Sequence, residues 1–147
     1  MPAEPLLVEF EVATDPAHAF DLWAKRTALW WPKGHTMSGE PDIDIVFEGH
    51  QGGRIYERTG TGIEHDWGEV LIWQPPNRLR YLWHVFFDRS EATTVEVTFT
   101  ATVTGETRVT IEQTGFESLG EAAQERRKRT AGAWEALITS YQQICAG

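Results

Sequence analysis

Two kinds of side chain suited to chemistry concentrate between Gly52 and Val85 of this chain. Glu57, His65, Glu69 and His84 fall on apparent strands, where a buried carboxylate or imidazole with its pKa displaced toward neutrality acts as a general acid or base. Arg54, Tyr56 and Tyr81 stand close in sequence and would polarise a substrate carbonyl. Glu57, His84 and Arg54 form the candidate catalytic set. The plainer expectation for Glu57 and Glu69 is a solvent-facing strand position paired with Arg58, Arg78 or Arg80. No Gly-x-Ser-x-Gly elbow, phosphate loop or dinucleotide fingerprint accompanies these residues, and no cofactor is expected.

The second kind is aromatic. Seven Trp in 147 residues is a high count, and Trp30, Trp31, Tyr56, Trp67, Trp73, Tyr81, Trp83, Trp134 and Tyr141 are the candidate ligand-binding residues. A large ring buries about 150 to 250 Å² wherever it packs, so core packing accounts for any one of them. As a set they suit a cavity wall better, because filling a helix-on-sheet space without gaps favours Leu, Ile and Val.

Metal chemistry has weaker support. His35, His50, His65 and Asp66 are ligand types that distant loops can bring together, yet His18, His35, His50, His65 and His84 make no His-x-x-x-His or His-Glu-x-x-His pattern, and no metal is expected. Cys145 is alone, which rules out an intramolecular disulfide and fits a reducing, cytoplasmic setting. A net charge of −9 argues against a nucleic-acid partner. No apolar run approaches the roughly 20 residues that span a bilayer, and no secretory leader is evident. The basic run Arg126-Arg127-Lys128-Arg129 reads as a solvated helix face with a Glu125 to Arg129 pair, or else as a docking patch for an acidic partner.

The elements that must position these residues follow from periodicity. Leu6 to Val12 alternates as a half-buried strand. Thr14-Asp15-Pro16 opens a short helix through Phe20 and Trp23, with Pro16 at its first position, and Lys25 to Trp31 suits a second short helix stopped by Pro32. Strands are expected at Ile43 to Glu48, Arg54 to Thr59, His65 to Gln74, Arg78 to Phe87, Thr93 to Val103 and Thr107 to Thr114. The sixth of the seven strands would bury Val95, Val97, Phe99, Ala101 and Val103. After Gly115 the period becomes helical, with Trp134, Leu137, Ile138, Tyr141 and Cys145 on one stripe. This order is an α+β plan. The rings of the Gly52 to Val85 hairpin are expected to lie under the C-terminal helix, and the first strand to join the far edge of the sheet.

Gly52-Gly53-Arg54, the run from Asp66 through Trp73-Gln74-Pro75-Pro76-Asn77-Arg78-Leu79, the Thr107 to Glu112 strand and the Trp134 helix resemble bacterial proteins similar to the activator of the ninety-kilodalton heat-shock protein's ATPase. These belong to the START-related, birch-pollen-allergen-like (SRPBCC) superfamily. The resemblance covers nearly the whole chain and implies a single domain over residues 1–147. It also implies a helix-grip fold: a seven-stranded antiparallel sheet around a long C-terminal helix, two short helices between strands 1 and 2, and an apolar cavity. Ala133 stands where the family usually has glycine. The chain is expected to be too short for the separate chaperone-binding domain of the eukaryotic co-chaperone.

Three functions fit. The first is a binding module for a small apolar or amphipathic molecule. The second is a cyclase, dehydratase or isomerase acting in the same cavity, and the third a chaperone-associated or homodimeric interaction domain.

Overall fold

The computed structural model describes residues 4–32, 35–84 and 91–147, with the backbone alone at 117 and 118. The strands are β1 (Leu6–Val12), β2 (Ile43–Phe47), β3 (Arg54–Thr59), β4 (Glu64–Gln74), β5 (Arg78–Trp83), β6 (Thr93–Ala101) and β7 (Thr107–Thr114). They form one antiparallel seven-stranded sheet in the order β1-β7-β6-β5-β4-β3-β2. Six sequential strands pair as hairpin neighbours, and β1 closes on the far edge through Leu6 opposite Gln113 and Val12 opposite Thr107. The expected continuation of the fifth strand to Phe87 lies outside the described residues. β6 is shorter than its alternation suggested: Ala101 and Val103 are exposed, because the chain turns at Thr102 toward Glu106 and Val103 sits on that hairpin.

Helix α1 spans Pro16–Ala24, and the Asp15 side chain caps it by accepting from the His18 amide at 2.8 Å. The second short helix is reduced to a 3-10 turn at Thr27–Leu29. The Thr27 hydroxyl donates back to the Trp23 carbonyl, and Trp30 and Trp31 donate their amides to the Thr27 carbonyl. After β7, Gly115 (φ 97°) starts a 3-10 segment at Phe116–Ala122, and Gly120 (φ 64°) breaks it before helix α2 begins at Ala123. Only glycine adopts such φ values without strain.

Helix α2 (Ala123–Ala146) runs parallel to β1. Arg127 donates to the Glu4 and Pro5 carbonyls near the start of the strand, and Gln142 donates to the Glu11 carbonyl near its end. The lengths agree, since fifteen helical residues and six extended ones both cover about 20 Å. The inward stripe of α2 is Ala123, Arg126, Trp134, Leu137, Tyr141 and Cys145.

The rings of the central hairpin are not covered by α2 alone. Trp73 packs edge-on against Phe20 of α1 at 5.1 Å, and Trp67 and Trp83 pack against Trp31 at 5.1 and 5.7 Å. α2 instead brings Trp134 onto Trp23 (5.9 Å, stacked) and Tyr141 against Trp23 and Trp30. The segment from α1 to Trp31 is therefore an aromatic layer between sheet and helix. This differs from the expected direct cover, because Phe20, Trp23, Trp30 and Trp31 stand between the hairpin rings and α2.

Candidate functional site

One cavity, about 560 Å³ in volume, opens where the 3-10 segment, the first half of α2 and the ends of β5 and β7 meet. Trp31 and Trp83 form part of its wall together with Gln113 of β7. Leu119, Ala133, Trp134 and Leu137 supply the helical side. That size lies within the roughly 300 to 1,000 Å³ typical of small-molecule sites.

Its polar lining is built from the backbone outward. Thr107, Val109, Ile111 and Gln113 all point inward from β7, so the alternation that fills the core also buries an amide at the last of these positions. Gln113 is 2% exposed, donates from Nε2 to the Thr93 hydroxyl at 2.7 Å and accepts from the Trp134 indole at 2.8 Å. Those partners fix which end of the amide is oxygen. His35, Glu91, Glu125, Arg126, Arg129 and Thr130 complete the polar part.

The basic run divides rather than forming one solvated face. Arg129 is exposed and pairs with Glu125 at 3.4 Å, as the i,i+4 spacing suggests, and Arg127 reaches the carbonyls before β1. Arg126, expected in solvent, is 9% exposed on the inward stripe and donates from Nη1 to the Glu91 carbonyl at 2.6 Å. Burial holds its pKa below the ordinary arginine range, with Glu91 acting in the opposite direction.

Behind the Trp31 wall lies Glu57. Ile55, Glu57 and Thr59 face inward from β3, and Glu57 is 0% exposed, which corrects the expectation of a solvent-facing carboxylate. Its Oε1 accepts from the Met37 amide and, at 2.9 Å, from the Trp67 indole; its Oε2 accepts from the Ser38 amide at 3.0 Å. Burial alone would raise its pKa. The hydrogen bonds from Ser38, Met37 and Trp67 outweigh that and hold it below the usual carboxylate value. Trp67 reaches this position through a bulge: Ile55 pairs with Gly68 and Tyr56 with Asp66, leaving Trp67 as the extra residue.

The other candidates are placed as follows. Arg54 is on the outer sheet face, donating to Glu64 and Asp66 at 3.0 and 2.9 Å and lying 4.3 Å over the Tyr56 ring. These carboxylates raise its pKa. The Arg58 guanidinium lies 5.3 Å from the centroid of the same ring and donates to the Tyr56 hydroxyl at 2.9 Å. His84 is 7% exposed at the end of β5, with its amide donated to the Trp67 carbonyl. Among the rings, Trp31, Trp83 and Trp134 line the cavity; Trp30, Tyr56, Trp67, Trp73, Tyr81 and Tyr141 are not among its walls. Trp30 donates to the Leu22 carbonyl and Tyr141 to the Ala19 carbonyl, both as core contacts. Tyr81 is buried between Phe47 and Trp83, and burial raises its pKa.

Among the described residues, no three His, Cys, Asp or Glu side chains group as metal ligands would. Nor is any described helix long and apolar enough to cross a membrane.

Solved structures share this architecture. Protein MLL2253 from Mesorhizobium loti is 21% identical, with a TM-score of 0.71 and coverage of 96% of each chain. A solution structure of an Aha1 dimer from Colwellia psychrerythraea is 14% identical, with a TM-score of 0.67, covering 97% of this chain and 96% of its own. Txn09, described as an anthrahydroquino-gamma-pyrone synthase, is 25% identical, with a TM-score of 0.64 and coverage of 97% of both chains. No curated protein matches the sequence. Residues 10–145 match the family described as Activator of Hsp90 ATPase homolog 1-like protein. With that match running from β1 nearly to the end of α2, and with the antiparallel sheet and long terminal helix in place, the chain belongs to this family of the SRPBCC superfamily.

Proposed function

We propose that the chain is a binding domain for a small apolar or amphipathic molecule held in the cavity between the sheet and the first half of α2. The observation that carries this reading is the 560 Å³ space walled by Trp31, Trp83 and Trp134, with the fixed amide of Gln113 among them. Large apolar walls with a few oriented polar groups are the usual composition of a ligand pocket. The test is a fluorescence-displacement and native mass spectrometry screen against a broad panel of lipids and polycyclic aromatic compounds. One-to-one binding by at least one class is expected, and no binding across the panel would overturn the reading.

A second reading, catalysis on a ligand in the same space, draws on the 25% identity to a pyrone synthase. It has less support from the residues. Both oxygens of Glu57 are engaged by Met37, Ser38 and Trp67, and Arg54 faces away from the cavity into ion pairs. His35 and Glu91 are the acid–base types that line the space. Turnover of a bound polyketide-like compound that disappears in His35→Ala would favour this second reading.

A further inference from the structure

Resting on the reading of the cavity as a binding site, we infer that it selects an uncharged molecule bearing a carbonyl oxygen, which accepts the second Nε2 N–H of Gln113. The unused hydrogen-bonding capacity of the wall carries this. Gln113 is 2% exposed; one of its N–H groups goes to the Thr93 hydroxyl at 2.7 Å, and its oxygen accepts from the Trp134 indole at 2.8 Å. The other N–H has no acceptor among the described residues. Trp31 gives its indole N–H to the His35 carbonyl at 2.8 Å, whereas that of Trp83 has no acceptor among the described residues. Thr130 spends its hydroxyl on the Arg126 carbonyl. His35 adds one donor and one acceptor when its imidazole is neutral, which leaves the balance as it is. A buried N–H without a partner is costlier than a carbonyl oxygen holding one bond of two. The wall therefore lacks acceptors, and an occupant that supplies one completes it.

Charge on the lining is balanced. The carboxylates of Glu91 and Glu125 stand with the guanidiniums of Arg126 and Arg129. Arg129 pairs with Glu125 at 3.4 Å. Arg126 donates to the Glu91 backbone carbonyl, feels the Glu91 charge and is engaged further, so the lining offers a ligand no uncompensated cation. An anion entering this space would lose hydration without gaining a free partner, and a cation would face the same deficit. A neutral carbonyl compound avoids that cost, and its oxygen is a good acceptor for an N–H. Sites built around such a bond reject analogues that lack the partner, because the buried group is then left unpaired. The rings of Trp31, Trp83 and Trp134 favour a flat apolar body for the rest of the molecule.

The experiment is equilibrium dialysis of the full chain with three probes of one ring system: 2-acetonaphthone, its hydrocarbon isostere 2-isopropenylnaphthalene, and the anion 2-naphthoate. In the native sequence, acetonaphthone is expected to bind at least about fivefold more tightly than either of the others. Gln113→Leu should reduce the ratio of acetonaphthone to isostere affinity to below about twofold. Arg108→Gln, on the outer sheet face, should leave that ratio unchanged. In the native protein, one of the two Gln113 side-chain amide protons should move further downfield with acetonaphthone than with the isostere, whose ring currents are similar. That readout does not need the variant to fold. The isostere or naphthoate binding as tightly as acetonaphthone, a ratio that survives Gln113→Leu, or Gln113 protons that respond alike to ketone and isostere would each overturn this inference while leaving the cavity reading intact. Absence of binding by all three would also overturn it, and the broad panel then decides the cavity reading separately.

Discussion

The indole N–H of Trp67 donates to the carboxylate of Glu57 at 2.9 Å, joining the bulge of β4 to the inner face of β3 beneath the Trp31 wall. The same carboxylate accepts the amides of Met37 and Ser38, so one buried charge ties two strands to the loop that carries His35. Removing it leaves three donors without their acceptor. Glu57→Ala is expected to lower stability by about 1 to 3 kcal/mol for each donor that stays dry, and Glu57→Gln by less. Urea denaturation midpoints measure both.

The same group makes stability depend on acid. Its folded pKa lies below the ordinary value of 4.5, so the unfolded chain binds a proton more readily than the native one as the pH falls. Glu57 therefore contributes fully above about pH 4.5, and its contribution declines as pH drops toward the folded value. Midpoints measured from pH 7 to pH 3 should fall more steeply in the native protein than in Glu57→Gln.

Gly68, next to that bulge, has no room for a side chain. A Cβ there would lie 1.8 Å from the Leu82 carbonyl oxygen, a backbone atom of the paired strand that cannot swing aside. Gly68→Ala is expected to cost more than about 3 kcal/mol, read as a large loss in thermal midpoint. Gly132→Ala, at an open position of α2 with nothing within 4 Å, should stabilise by about 0.4 to 1 kcal/mol.

Cys145 provides a probe of α2. It is 4% exposed, and burial pushes its thiol up to about 11, with Tyr141 pulling the other way. A thiol held protonated and buried reacts slowly. Labelling by a disulfide reagent at pH 8 should be slow in the native protein and at least about 100-fold faster in denaturant.

The sheet was legible because its signals are local. β1, β3 and β7 have the bounds that alternation indicates, and the turn between β4 and β5 stands where Pro75, Pro76 and Asn77 mark it. The site was legible in part. Ring size marks Trp31, Trp83 and Trp134, but it marks core rings such as Trp30 and Trp67 equally, and indole hydrogen bonds to carbonyl or carboxylate oxygens occur in both groups, so only tertiary packing separates wall from core. Gln113 was readable in principle, since it continues the inward set of β7. Arg126 continues the helical stripe of Trp134 and Leu137 at i, i+8 and i+11. A polar side chain in an apolar register is ordinarily assigned to water, which is why the solvated-face expectation for Arg126 differs from its buried position. Glu57 shows the same difficulty, as its acceptors are satisfied by a loop some twenty residues away.

The central claim, that a ligand occupies the cavity between the sheet and the first half of α2, is tested most directly by following the indole N–H resonances of the seven Trp during titration with a hit from the screen. Saturable shifts are expected to be largest at Trp31, Trp83 and Trp134, and smallest at Trp73, which packs on Phe20 away from the cavity. Saturable binding that moves Trp73 most and leaves Trp31, Trp83 and Trp134 in place would contradict the account.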